Sequence, residues 1–159
     1  MKVFISHKQE DSSIAQGIQM ALKGYGVDTY LDLLDDTLIG NGKQLTEHIR
    51  AKMGECSDVF VVMSKNTKDS WWVPFEIGIA SEKTIPIANY LVSSVSLPEY
   101  LDYWPRLKDG NDIYKYIMVR GRVSESYERT RVLFESVSSE LKEMEVQEFY
   151  QELKKELNR

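Results

Sequence analysis

Glu76 is the side chain with the clearest prospect of chemistry. It is a lone carboxylate in an otherwise apolar stretch, and two tryptophans, Trp71 and Trp72, precede it. A carboxylate fixed at a cleft can steady positive charge, and an indole offers a flat face to a cationic ring. Two short polar segments supply further groups: Ser6, His7, Lys8 and Asp11 near the start, and Ser64 with Lys65 after a valine-rich run. Other machinery is excluded by spacing. Gly40–Asn41–Gly42–Lys43 lacks the phosphate-loop spacing, and no G-x-G-x-x-G is present, which argues against a hydride-transferring dinucleotide site. Cys56 is the single cysteine and His7 and His48 lie far apart, so neither an internal disulfide nor a metal centre is expected.

The elements that must position these groups follow from periodicity. Val3–Phe4–Ile5–Ser6 reads as a short strand. Ile14, Ile18, Ala21 and Leu22 then recur at helical spacing after a cap at Asp11 or Ser12, and Gly24 and Gly26 end that helix. Val27–Leu31 alternates as a second strand. Residues 33–43 carry Asp35, Asp36, Gly40 and Gly42 without a period and read as a long mobile loop. Leu45, Ile49 and Met53 mark a second helix, opened by Thr46 or a neighbouring polar residue. Val59–Met63 is apolar throughout, as in a strand buried on both faces. Pro74 biases Val73 away from helical geometry. Ser70–Val73 therefore reads as a turn, and the third helix as starting near Pro74, with Glu76 in its first turn near the positive end of the dipole.

Thr84–Ile87 reads as a fourth strand, weakened or placed near an edge by Pro86, and Tyr103–Leu107 as a short fifth. Ile113, Tyr116 and Ile117 mark a helix before Gly121. From Ser124 onward there is neither Gly nor Pro. Leu133, Val137, Leu141 and Met144 share one face, as do Val146, Phe149, Leu153 and Leu157, which gives one long helix or two abutting ones. The second set reads as an exposed apolar stripe suited to self-association.

Regular strand–helix alternation implies an α/β fold, a parallel sheet with helices on both faces. About five strands in the flavodoxin-like order 2-1-3-4-5 form its middle layer, with extra helices at the C-terminus. The switch point of such a sheet lies between strands one and three, beside the loops Ser6–Asp11 and Ser64–Trp72, and Trp72 and Glu76 fall next to both. The chain reads as one domain over 1–159, with a core of about 1–120 and a helical extension of about 121–159. A response regulator would need an aspartate at the end of strand three, where Met63–Ser64 stands. The net charge of −5 argues against a nucleic-acid surface. No apolar run reaches the roughly 18–20 residues needed to cross a bilayer. A cytoplasmic protein is expected.

VFISH followed by Asp11, the long loop after strand two, and Ser64 followed by W-x-x-x-E at Trp72–Glu76 together resemble a TIR (Toll/interleukin-1 receptor) domain. They are similar to the bacterial, NAD-cleaving kind, which includes TIR components of Thoeris antiphage defence. The resemblance covers roughly residues 1–120 and implies an enzyme that splits the nicotinamide–ribose bond. NAD+ is then substrate rather than cofactor, and a separate effector protein receives the product. The resemblance implies Glu76 as the catalytic group, and Ser6, His7, Lys8, Asp11, Asp36, Ser64, Trp71 and Trp72 as substrate contacts.

Cleaving an N-glycosidic bond passes through an oxocarbenium-like state that a carboxylate can stabilise. Nicotinamide leaves as a neutral base, so one glutamate can suffice. Trp72 or Trp71 can stack on the pyridinium, and helix-start amides with Lys8 or Lys65 can meet the pyrophosphate. Structural roles remain open for the same residues. Glu76 can cap its own helix, one tryptophan can pack, Ser6 can end a strand and Asp11 can be an N-cap. Two other functions fit the residues: a non-catalytic adaptor acting by TIR–TIR contact, and a nucleoside deoxyribosyltransferase-like enzyme.

Overall fold

A computed structural model of the chain describes residues 1–31, 41–93, 95–134 and 139–158. The chain forms two compact units, Met1–Lys108 and Asp109–Arg159. The first alternates strand and helix: β1 Lys2–Ser6, α1 Ser12–Gly24, β2 Asp28–Leu31, α2 Gly42–Gly54, β3 Asp58–Met63, α3 Trp72–Glu82, β4 Ile87–Leu91 and β5 Arg106–Leu107. All strand pairs are parallel, in the order β2-β1-β3-β4-β5. This is the flavodoxin-like arrangement expected from the alternation of elements.

Every residue of β3 is buried, as an unbroken apolar run requires when both faces of a sheet are covered. Phe4, Val59, Val61, Met63 and Ile87 pack with Met53 of α2 and with Val73, Ile77 and Ala80 of α3. Val3, Ile5, Phe60, Val62 and Ala88 alternate onto the opposite face and are buried as well.

The ends of α1 and α3 show how the chain is turned back into strands. After α1, Gly26 N–H donates to Lys23 O at 2.9 Å and Val27 N–H to Leu22 O at 3.0 Å, with Gly26 at φ +73°. This double closure needs a left-handed residue, which glycine supplies without strain. After α3, Thr84 N–H donates to Ser81 O at 3.1 Å and Ile85 N–H to Ala80 O at 2.9 Å, but the left-handed position is held by Thr84 at φ 53°. A β-branched side chain is strained there.

Several boundaries differ from the sequence-based expectation. Helix α3 begins at Trp72, not Pro74. Pro74 is its third residue, where a missing N–H has no intrahelical acceptor to lose, so helical geometry reaches back through Val73. Strand β4 runs Ile87–Leu91 rather than Thr84–Ile87, because Thr84 is used to close α3. Strand β5 is only Arg106–Leu107. Helix α2 opens earlier than Thr46: Asn41 caps it, accepting from Gln44 N–H at 3.1 Å. Of the expected loop 33–43, residues 33–40 lie outside the described residues.

The second unit contains α4, Gly110–Phe134, and α5, Ser139–Leu157. Helix α4 continues through Gly121, since one exposed glycine costs only about 1 kcal/mol relative to alanine. The stripe expected to be exposed is covered: Val146, Phe149 and Leu153 are buried, and the Phe149 ring meets Tyr116 edge-on at 4.9 Å. The buried Glu145 accepts from Arg120 at 2.7 Å and also from Arg131, joining the two helices.

Candidate active site

The site begins where β1 ends. In a strand, alternate residues share a face, so Ser6 lies on the side of Phe4, the side on which α3 packs. Successive residues of a helix are turned by about 100°. With Val73, Ile77 and Ala80 facing the sheet, Glu76 is turned to the flank nearer β1. The Ser6 hydroxyl donates to Glu76 Oε2 across that gap. Ser6 is fully buried and Glu76 is 2% exposed. A carboxylate this far from water is tolerated only where donors meet it.

Because α3 starts at Trp72, Glu76 is its fifth residue and no acidic group lies in its first turn. Glu76 therefore does not stand at the third helical position, from which a glutamate completes a capping box. The helix start is served by Ser70, whose Oγ accepts from Val73 N–H at 3.2 Å. The carboxylate also meets a covered setting rather than the open groove that a ligand crevice suggests.

A second group of residues ties the two crevice loops together. Asp11 is buried. Its Oδ2 accepts from Ser64 Oγ at 2.6 Å and its Oδ1 from Asn66 Nδ2 at 2.8 Å. Asn66 N–H returns a bond to Ser64 Oγ at 2.9 Å. Thr67 Oγ1 accepts from Ser64 N–H and donates to Val62 O, both at 2.9 Å. Asp11 and Ser64, proposed from sequence as substrate contacts, thus hold the β1–α1 segment against the loop after β3. Asn66 and Thr67 were not foreseen. The available signal was the run Ser64–Lys65–Asn66–Thr67 directly after a strand, residue types that bond back to local backbone.

The other candidates are scattered in exposure. His7 is half-buried, with Nε2 3.3 Å from Ser12 Oγ and Nδ1 3.4 Å from Ile5 O. Lys8 pairs with Glu10 at 3.2 Å. Lys65 is exposed. The tryptophans separate: Trp71 is 91% exposed, whereas Trp72 is half-buried and meets Phe75 edge-on at 5.8 Å. Asp36 lies outside the described residues.

The sheet order is that of a flavodoxin-like α/β fold, and a carboxylate and an indole stand on the helix after its third strand. The TIR domain family model matches residues 3–132, and the chain belongs to that family. A curated relative, the "Probable 3' cyclic ADP-D-ribose synthase ThsB'" of Bacillus cereus (strain MSX-D12), is 28% identical over 120 residues, 70% of this chain and 62% of the relative. The chain therefore spans about three fifths of that protein's length. Among solved structures, the TIR domain of the Toll-related receptor TRR-2 of Hydra magnipapillata superposes with a TM-score of 0.54 at 21% identity, over 65% of this chain and 82% of that one. A 2-deoxyribosyltransferase of Bacillus psychrosaccharolyticus superposes with a TM-score of 0.57 at 15% identity, over 71% of this chain and 90% of that one. At these identities the two structures share the fold.

Proposed function

We propose that the chain is a TIR enzyme that cleaves the nicotinamide–ribose bond of NAD+, with Glu76 as its catalytic carboxylate. The observation that carries this reading is the meeting of Glu76 with Ser6 at the carboxyl end of β1, beside the switch point where open α/β sheets bind ligands. In the proposed step the bond from the ribose anomeric carbon to the pyridinium nitrogen breaks. Its electron pair stays on nitrogen, and neutral nicotinamide departs. Glu76 steadies the ribosyl cation left behind. Water captures that cation to give ADP-ribose and a proton, or a group of the same nucleotide captures it to give a cyclic isomer. The cyclic outcome agrees with the name of the Bacillus cereus relative. In this reading Trp72 offers the stacking face, and Lys8 and Lys65, on the two crevice loops, are the cations assigned to the pyrophosphate.

With Glu76 only 2% exposed, NAD+ reaches it after the surrounding side chains part. We therefore expect slow turnover in the isolated chain and faster turnover once copies associate or a trigger acts. The product is read as a signal to a separate effector in cytoplasmic antiphage defence of the Thoeris kind. The same burial favours a second reading, in which the chain is a non-catalytic TIR interaction module.

Chromatography and mass analysis of NAD+ incubated with the full chain, dilute and concentrated, with and without cell extract, separate these readings. Nicotinamide with ADP-ribose or a cyclic isomer, lost in Glu76→Ala, supports the enzyme. Intact NAD+ in every condition supports the module. Base exchange between nucleosides with NAD+ untouched would instead indicate a nucleoside transferase.

A further inference from the structure

Helix α3 has a second flank. Glu76 turns toward β1, and the next residue, Ile77, is rotated by about 100° and lines a cavity of about 140 Å³ that Glu76 does not reach. Met63, Val73, Ile77, Leu97 and Leu101 form its apolar wall, with Pro74 and Pro98 at the sides. Two hydroxyls in the lining are already engaged: Ser64 Oγ bonds Asp11, and Thr67 Oγ1 bonds Val62 O. Polar selection at the mouth falls to Lys68 and the hydroxyls of Ser96 and Tyr100, and Lys68 is the one charged group among the lining residues.

We propose that this cavity binds a small-molecule ligand distinct from NAD+: a single aromatic ring carrying one carboxylate. Three features set that class. An apolar cavity of about 150 Å³ holds one benzene ring, so 140 Å³ takes one ring and not a dinucleotide. The wall is mostly aliphatic and offers a ring dispersion contacts. The single cation at the rim matches one anionic substituent left at the surface. Such a ligand touches Val73, Pro74 and Ile77, in the first two turns of the helix that carries Glu76. Occupancy braces that helix on a flank other than the one that carries the carboxylate.

The test is methyl NMR of the full chain titrated with benzoate, which needs no turnover of NAD+. Saturable shifts centred on the methyls of Met63, Ile77 and Leu101 are expected, with Kd on the order of 1 mM for so small a probe. Lys68→Glu weakens benzoate about two- to fivefold, the range of an exposed ion pair, and leaves benzyl alcohol unchanged. Leu97→Trp, a change at the half-buried rim, fills the cavity and removes the saturable shifts while the remaining spectrum stays folded. Shifts that are linear in benzoate or spread over the molecule would overturn the proposal, as would saturable binding that survives Leu97→Trp. If Leu97→Trp does not fold, Lys68→Glu decides alone: benzoate binding unchanged by that substitution rejects the aromatic acid.

Discussion

Ser6→Ala is the perturbation that probes the Glu76 setting most simply. The substitution removes one hydroxyl at a fully buried position and leaves the strand backbone intact. The lost bond is to a carboxylate, and hydrogen bonds to charged groups contribute about 1.5–3 kcal/mol. Taking about 2 kcal/mol, and about 2–4 °C per kcal/mol for a chain of this size, Tm falls by about 4–8 °C. All three tryptophans, Trp71, Trp72 and Trp104, lie in the unit Met1–Lys108, so urea unfolding followed by indole fluorescence reports the correct unit. In a Glu76→Gln background the same bond is neutral and contributes about 1 kcal/mol. Ser6→Ala should therefore cost about 1 kcal/mol less there, a coupling that a double-mutant cycle resolves. Strict additivity within about 0.3 kcal/mol would refute the claim that Ser6 acts through the charge on Glu76.

Other changes test the surrounding parts. Asp11→Ala removes the acceptor shared by Ser64 and Asn66 and should cost about 2–3 kcal/mol, against about 1 kcal/mol for Asn66→Ala, read by the same unfolding curves. Thr84→Gly relieves a left-handed β-branched residue and should stabilise by up to about 1 kcal/mol; a loss of stability contradicts the strain assigned to φ 53°. Burial pushes the Cys56 thiol up to about 11 from 9.0. At pH 8 its thiolate fraction, and hence its alkylation by iodoacetamide, should be about 100-fold below that of the unfolded chain. The sign for stability follows: between about pH 9 and 11 the folded state holds the thiol proton that the unfolded state has released, so this contribution falls as pH rises through that window.

The sheet was legible because its signals are strong and local. The apolar run Val59–Met63, the glycines after α1 and the regular alternation allow few arrangements other than the parallel order observed. What sequence reasoning displaced were the junctions. Pro74 looked like a helix start, yet the third helical position accepts proline at little cost. Thr84 looked like a strand residue, and nothing local announces a threonine at positive φ. Val146, Phe149 and Leu153 looked like a sticky surface because a periodic stripe does not say what lies against it; Tyr116, distant in sequence, meets Phe149. At the site, residue types were readable and partnerships were not. That Asp11 joins Ser64 and Asn66, or that Ser6 reaches Glu76, depends on register between elements more than fifty residues apart.

The proposed action of Glu76 on a sugar cation is reached directly by one assay. Purified full chain and its Glu76→Gln variant, each verified as folded, are incubated with NAD+ at concentrations that promote association, and free nicotinamide is measured over time. Loss of one electrostatic stabiliser of a transition state typically costs about 10²–10³ in rate. Nicotinamide release by the wild-type chain, falling by at least about a hundredfold in the variant, is the predicted result. Equal release by the two proteins, or none from the associated wild-type chain, contradicts it.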